Sequence, residues 1–392
     1  DKAGMERFQN GDDRKLDGVD LVLTTYGMVT RQKWLSEYDW GLVILDEAQA
    51  IKNPGSQQTV AVKQLKAKSR IALTGTPVEN RLGDLWSLFD FLSPGLLGTQ
   101  GQFKTFSKQL SSSEITQYGP LKKLISPYIL RRLKTDKSII NDLPDKIEVK
   151  AYCGLSKKQA VLYAKSVEQL TATLAEVEGI KRRGLVLSYL MRFKQICNHP
   201  NQLLKNADYE VGESGKMLRL IEICDEIFSR QEKVLVFTQF REMTEPLADV
   251  LREIFGREGL VLHGGTSVKK RQQMVKEFQR DGGPPFFVLS LKAGGTGLTL
   301  TAASHVIHFD RWWNPAVENQ ATDRAFRIGQ HRNVVVHKMI CKGTIEEKID
   351  MMLEEKANLA DNLLEGAGQS GFTEMNDEDL LEIVALNIQS EL

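Results

Sequence analysis

Two acids at the end of an apolar run are the first residues able to do chemistry. In "LVILDEAQAIKN" (Leu42–Asn53) the run ends in Asp46 and Glu47. Open parallel sheets gather ligands at the carboxyl ends of their strands. There a first acid can hold Mg²⁺ through its water shell, and a second can orient or deprotonate an attacking water. The same pair would also serve as exposed acids capping the next helix. Another run, "SRIALTGTP" (from Ser69), ends in Thr74, Gly75 and Thr76, where small hydroxyl residues can report the state of a nearby phosphate. Downstream, "QATDRAFRIGQ" (Gln320–Gln330) carries Arg324 and Arg327 three apart. On a helix that spacing puts both guanidinium groups on one face, suited to a phosphoryl group whose charge spreads during transfer. A surface helix with ordinary ion pairs would show the same spacing.

The elements that position these groups follow from the apolar runs. "VDLVLTTYG" (from Val19), "WGLVILDEA" (from Trp40) and "SRIALTGTP" are short and non-alternating, with helical sequence between them. Such runs suit strands buried on both faces of a parallel sheet. A second set comprises "KVLVFTQF" (from Lys233), "GLVLHGG" (Gly259), "FFVLSLKAGG" (Phe286), "SHVIHFD" (Ser304) and "VVVHKMI" (Val334). It predicts a complete second sheet, whereas the first falls short by several strands. Residues 101–230 read as mostly helical. A helical tail begins at Leu353, and Asn376 can cap its last helix.

Composition sets the outer bounds. The chain has 392 residues, 41% hydrophobic and 26% charged, with a net charge of +1. That is room for two or three ordinary globular domains. No run of eighteen apolar residues suggests a membrane span. Near-neutral charge means that any nucleic acid is held by local stripes rather than by total charge. One candidate stripe is "LKKLISPYILRRLKTDK", with Lys122, Lys123, Arg131, Arg132, Lys134 and Lys137. Cys153, Cys197, Cys224 and Cys341 are scattered, without the paired spacing of a zinc site or disulfide framework. "CNHP" (Cys197–Pro200) therefore reads as packing and turn residues.

Taken together, "LTTYG", "DEAQAIKN", "LTGTPVEN", "LRRLKTD", "QICNHP", "SGKM", "VLVFTQF", "HGGTS", "SLKAGGTGLTLTAASHVIHFDRWWNPAVENQATDRAFRIGQ" and "GTIEEKI" carry a resemblance. In order and approximate spacing, over about residues 19–350, they resemble the SWI/SNF-type ATPases of helicase superfamily two. The resemblance implies an α/β fold of two RecA-like parallel-sheet lobes, the first truncated, joined by helical insertions. Residues 1–100 would be partial lobe one, 101–215 the insertions, 216–345 lobe two and 346–392 a helical tail. It implies ATP and Mg²⁺ as ligands, with Asp46 (through water) and Glu47 as the metal-binding and water-activating acids. Gln49, Thr74, Gly75, Thr76, Gly295, Gly297 and Gln320 would lie at the nucleotide, together with Gly294, and Arg324 and Arg327 would be arginine fingers. Phe326 stands where the family has His, with both arginines kept. Thr24, Thr25, Tyr26, Lys52, Thr266, Lys292 and Trp312 resemble positions facing the backbone of double-stranded DNA. The implied activity is translocation on duplex DNA, usually to remodel protein–DNA complexes, in a cytoplasmic protein that is nucleoid-associated if bacterial or archaeal. No base-reading module is visible, so the grip should be sequence-tolerant.

One part is missing. A phosphate loop reads G-x-x-x-x-G-K-[ST], and the sequence has none. The nearest stretch, "VGESGKML" (Val211–Leu218), has two residues between its glycines and Met217 after the Lys. With the short first sheet and a first residue other than Met, this suggests a chain that starts partway through lobe one, downstream of the loop. Such a chain should be nearly inert as an ATPase, because the amides and Lys that hold the triphosphate are absent. Two alternatives stand beside this reading: a helicase that separates strands, and a non-catalytic DNA-binding scaffold.

Overall fold

A computed structural model of the chain describes residues 16, 18–74, 82–111, 119–130, 142–174, 176–294, 297–363 and 377–385. They fall into two units, one ending at Leu130 and the other made chiefly of residues 142–358.

The first unit is built on two parallel strands, β1 (Asp39–Leu45) and β2 (Lys66–Ala72), with Ile44 opposite Ile71. Helix α1 (Gln57–Lys63) connects them, its start fixed by Ser56, whose hydroxyl accepts from the Thr59 amide. Helix α2 (Leu82–Leu92) adds Leu88 and Phe91 to a core with Leu45, Ala48, Ile51 and Val62. Helix α3 (Gln100–Ser111) places Phe103 in a second cluster with Leu85, Trp86 and Phe89.

Among the described residues, only one face of this small sheet is covered. Leu42, Ile44, Ile71 and Leu73 share the other face and are 43–52% exposed. The run from Val19, expected as a strand, is not one: it pairs with nothing among the described residues, and Leu21 and Leu23 are 71% and 86% exposed. A strand needs a neighbour for its amides and carbonyls, and here none is described.

The second unit holds a six-stranded parallel sheet in the order β3-β8-β7-β4-β6-β5. Its strands are β3 (Lys146–Cys153), β4 (Val234–Thr238), β5 (Leu260–Leu262), β6 (Phe286–Ser290), β7 (His305–His308) and β8 (Val334–Cys341). Strands β4, β6 and β7 are buried throughout, as their unbroken apolar runs require. Alternate residues feed opposite faces. Val234 and Val236 pack with helices α6 (Gly215–Ser229) and α7 (Thr244–Phe255), whereas Leu235 and Phe237 pack with α8 (Val268–Gln279) and α9 (Pro315–Thr322).

Beside the sheet, α4 (Lys157–Leu174), α5 (Gly179–Asn198) and the start of α10 (Ile345–Leu363) share a third core around Tyr163, Phe193 and Ile349. The edge strand β3 lies inside the segment expected to be helical. Its sequence, KIEVKAYC, alternates charged residues with apolar ones as far as Ala151, and half of its residues are exposed. No described helix is long and apolar enough to cross a membrane.

Candidate active site

In the first unit, the apolar run of β1 stops at Leu45 and leaves Asp46 and Glu47 exposed at its carboxyl end. Glu47 sits in the left-handed region, at φ 49° and ψ 52°, a conformation that costs a residue with a Cβ roughly 1–2 kcal/mol. The strain turns the chain sharply into the short turn Ala48–Ile51, whose Ala48 and Ile51 are fully buried anchors. Ala48 N donates to the Leu73 carbonyl at 2.9 Å, tying the acid turn to the end of β2.

Three side chains then form a relay. The Thr74 hydroxyl donates to Gln49 Oε1 at 2.9 Å, and Gln49 Nε2 donates to Glu47 Oε2 at 2.5 Å. Asp46 Oδ1 accepts the Glu47 amide at 3.0 Å. A ligand that draws the Thr74 hydroxyl away would release Gln49 and so reorient Glu47. The exposed oxygen donors of Asp46 and Glu47 suit a hard cation such as Mg²⁺ that keeps most of its water. The hydroxyl of Tyr26 donates to the Asp46 carbonyl at 2.8 Å, which locks "TTYG" onto the acids. Burial, then the charges of Asp46 and Glu47, push that phenol up to about 12. Thr24 and Thr25 are exposed, Thr25 capping the single helical turn Tyr26–Val29. Lys52 closes the turn after Ile51 and is half-buried.

In the second unit the expected arginine helix is not there. Helix α9 ends at Thr322, and Arg324 and Arg327 lie in the turns that follow. The cause is Gln330, whose side-chain amide bonds the carbonyls of Thr301, Ala303 and Ala325 at 2.8–3.1 Å and folds the segment back on the sheet. The Arg324 carbonyl accepts from Leu300 N, and Gly329 takes φ 95°, open to glycine at little cost. Arg324 is 6% exposed while Arg327 is exposed, so the two do not share one helical face. Gln320 and Trp312 are half-buried, and Gly297 is exposed at φ 54°. Thr266 lies in the turn before α8, its hydroxyl accepting from His263 N at 3.3 Å. Gly75, Thr76 and Gly295 lie outside the described residues, with Arg131, Arg132, Lys134, Lys137, Asn376 and the side chains of Lys122 and Lys292.

The false phosphate loop has a clear structural role. Ser214 caps α6, and a Cβ on Gly215 would stand 1.8 Å from the Gly154 carbonyl oxygen, so only glycine allows the helix start so close to β3. Lys216, fully buried, bonds Glu346 at 2.6 Å and Asn198 Oδ1 at 3.0 Å. Its ammonium is therefore committed to the interior. In "CNHP", His199 Nδ1 accepts from Asn201 N and Nε2 bonds the Glu210 carbonyl, which is turn chemistry. Cys197, Cys341 and Glu346 bring ligand-type atoms within 4.8 Å of one another. Lys216 already supplies the positive charge there, and a second cation beside it would be repelled.

One cluster went unread in the sequence. Asp310, at the end of β7, accepts from Thr238 Oγ1 at 2.6 Å, Gln239 N at 2.9 Å and Asn198 Nδ2 at 3.3 Å. Next to it, Arg311 pairs with Glu318 and Asp350, all three buried. An acid closing the run "HVIHFD" was the available signal, the same one that marks Asp46.

The SNF2-related domain family matches residues 5–202, and the helicase conserved C-terminal domain matches residues 215–329. The chain is 44% identical, over 98% of its length, to the putative ATP-dependent helicase/translocase YwqA of Bacillus subtilis (strain 168). It is 37% identical, over 94% of its length, to an uncharacterized ATP-dependent helicase of Mycoplasma pneumoniae. It covers 42% and 35% of those two proteins, less than half of each. Among solved structures it is similar to the Sulfolobus solfataricus SWI2/SNF2 ATPase core in complex with dsDNA. That likeness has 45% identity and a TM-score of 0.57, covering 96% of this chain and 80% of that one.

Proposed function

The chain belongs to the SNF2-related family of ATP-dependent helicases and translocases, and from that premise we propose that it serves a motor that couples ATP hydrolysis to translocation on double-stranded DNA, remodelling protein–DNA complexes. The observation that carries the reading is the Thr74–Gln49–Glu47 relay at the adjoining ends of β1 and β2. It joins a hydroxyl able to sense a phosphate to a carboxylate able to take a proton from water.

In this reading Asp46 holds hydrated Mg²⁺, which when bound supplies positive charge to the phosphates. Glu47 Oε2, positioned by Gln49, orients the attacking water and accepts its proton. Arg324 and Arg327 contribute positive charge toward the phosphoryl oxygens. Trp312, Thr266, Thr24, Thr25, Lys52 and Lys292 meet the DNA backbone, and Gln320, Thr76 and the glycines Gly75, Gly295 and Gly297 lie near the nucleotide. The amides and Lys of a phosphate loop are absent from the 392 residues. This chain by itself should therefore turn over ATP at or near background, an absence that also favours a non-catalytic DNA-binding scaffold as the second reading.

Binding of fluorescent oligonucleotides tests the DNA half. The expected result is saturable, sequence-tolerant binding of duplex DNA that weakens steeply between 50 and 200 mM salt, as phosphate contacts require. Preference for single strands would favour an unwinding helicase, and absence of duplex binding would refute both readings.

A further inference from the structure

Lys194 lies on α5, far in sequence from the tryptophans of "DRWWNP", yet its ammonium is buried against them. The residue is 0% exposed. Its Nζ stands 5.0 Å from the ring centroid of Trp313 and 5.7 Å from that of Trp312, within the range of a cation–π contact. It donates to the Arg311 carbonyl and, at 3.0 Å, to Gln239 Oε1. Trp313 is buried in the helical core, whereas Trp312 is half-buried and reaches the surface. The Trp312 amide donates to Glu318 Oε1 at 2.7 Å, so the Arg311–Trp312 peptide that leads into the tryptophan pair is held at both its carbonyl and its amide.

Burying an ammonium is costly, and a Met of similar length would fill the same space without that cost. Burial pulls the Lys194 pKa down to about 8, although Asp310, Glu346 and Glu318 attract its proton; Lys216 opposes it. The charge is kept where two aromatic faces and one backbone carbonyl converge on it.

We propose that Lys194 is a positioning residue that fixes Trp312 at the DNA-gripping surface. The proposal rests on the reading of this chain as a duplex-DNA motor. Lys194 touches no DNA itself; it acts through the orientation of the indole and of the Arg311–Trp312 peptide.

The test uses the 392-residue chain and a fluorescent duplex, comparing the unmodified chain with K194M, K194R, W312A and K194M/W312A. Thermal unfolding of each variant checks that it folds. K194M should weaken duplex binding about tenfold, the scale of one lost cation–π-supported stacking contact, in a chain that still unfolds cooperatively. W312A should weaken binding to a similar degree, and the double variant no further. As pH rises through about 8, the unmodified chain should lose affinity relative to K194R, whose guanidinium stays charged. Asp310, Arg311, Glu318, Lys216, Glu346 and Asp350 also face this pocket, and they are common to both proteins. Because K194R keeps the charge, its pH comparison decides the matter even if K194M does not fold. Full duplex affinity in K194M beside weakened W312A, or pH profiles that run parallel, would overturn the proposal. No duplex binding by the unmodified chain would instead overturn the motor reading, and this proposal with it.

Discussion

The Lys216–Glu346 pair offers the sharpest test of how the second unit is held together. Both side chains are 0% exposed and 2.6 Å apart, so no solvent screens them. Glu346 Oε2 also accepts the Cys341 amide at 3.1 Å, and Lys216 also donates to Asn198, so each charge has further polar partners. Lys216→Met leaves a carboxylate buried among sulfur atoms, and Glu346→Gln leaves an ammonium facing a neutral amide. Removing one partner of such a pair costs about 3–5 kcal/mol, because the other charge is stranded. For a unit of this size that is roughly 6–20 °C in melting temperature. The double variant Lys216→Met/Glu346→Leu removes both charges and should recover most of the loss. With Glu346→Leu measured as the second single variant, the double-mutant cycle would then give a coupling that approaches the sum of the two single losses. Urea unfolding followed by tryptophan fluorescence reads the stabilities, and the binding of a fluorescent ATP analogue is measured in parallel. Single losses below about 1 kcal/mol, or simple additivity, would refute the ion-pair reasoning. Nucleotide binding that disappears with Lys216 while stability holds would restore "SGKM" as a phosphate loop.

Two further predictions follow from strain and from titration. Glu47→Gly should raise stability by up to about 1 kcal/mol over Glu47→Ala, because glycine relieves the left-handed strain that alanine keeps; equal stabilities would count against a strained acid turn. His308 is fully buried, its Nε2 2.9 Å from Thr322 Oγ1, and burial lowers its pKa from the ordinary 6.5 to about 4. A depressed histidine is neutral in the fold and protonated first in the unfolded chain. Its contribution is therefore intact above pH 6.5 and is lost as pH falls toward 4, by up to about 3 kcal/mol. Urea midpoints from pH 7.5 to 4.5 should fall more steeply in the unmodified chain than in His308→Gln. Parallel slopes would refute the assignment.

The sequence made the strands visible where burial is complete. The runs at β4, β6 and β7 are apolar without a break, and the structure buries every residue of them. It hid β3, because an edge strand meets solvent and its charged alternation carries no hydrophobic run. Val19–Leu23 carried the run without forming the strand, since apolar character alone supplies no pairing partner. The acids, Gln49 and Thr74 were legible because two adjacent strand ends deliver them within a short stretch of chain. The helix expected to carry Arg324 and Arg327 is absent, because the bonds that fold that segment back come from Gln330 to carbonyls as far away as Thr301. Lys194 was beyond reach for the same reason: its partner carbonyl is 117 residues away in the chain.

The proposed reading gives Asp46 and Glu47 the chemistry of hydrolysis, in 392 residues that contain no G-x-x-x-x-G-K-[ST] stretch. It is tested most directly by ATP hydrolysis, with and without duplex DNA. The assay compares the chain alone with a fusion that supplies a strand and a G-x-x-x-x-G-K-[ST] loop ahead of residue 1. The account predicts background turnover by the chain alone. In the fusion it predicts turnover that duplex DNA stimulates and that Glu47→Gln and Arg324→Ala abolish. DNA-stimulated, Glu47-dependent turnover by the chain alone would contradict it, as would a folded, DNA-binding fusion that hydrolyses no ATP.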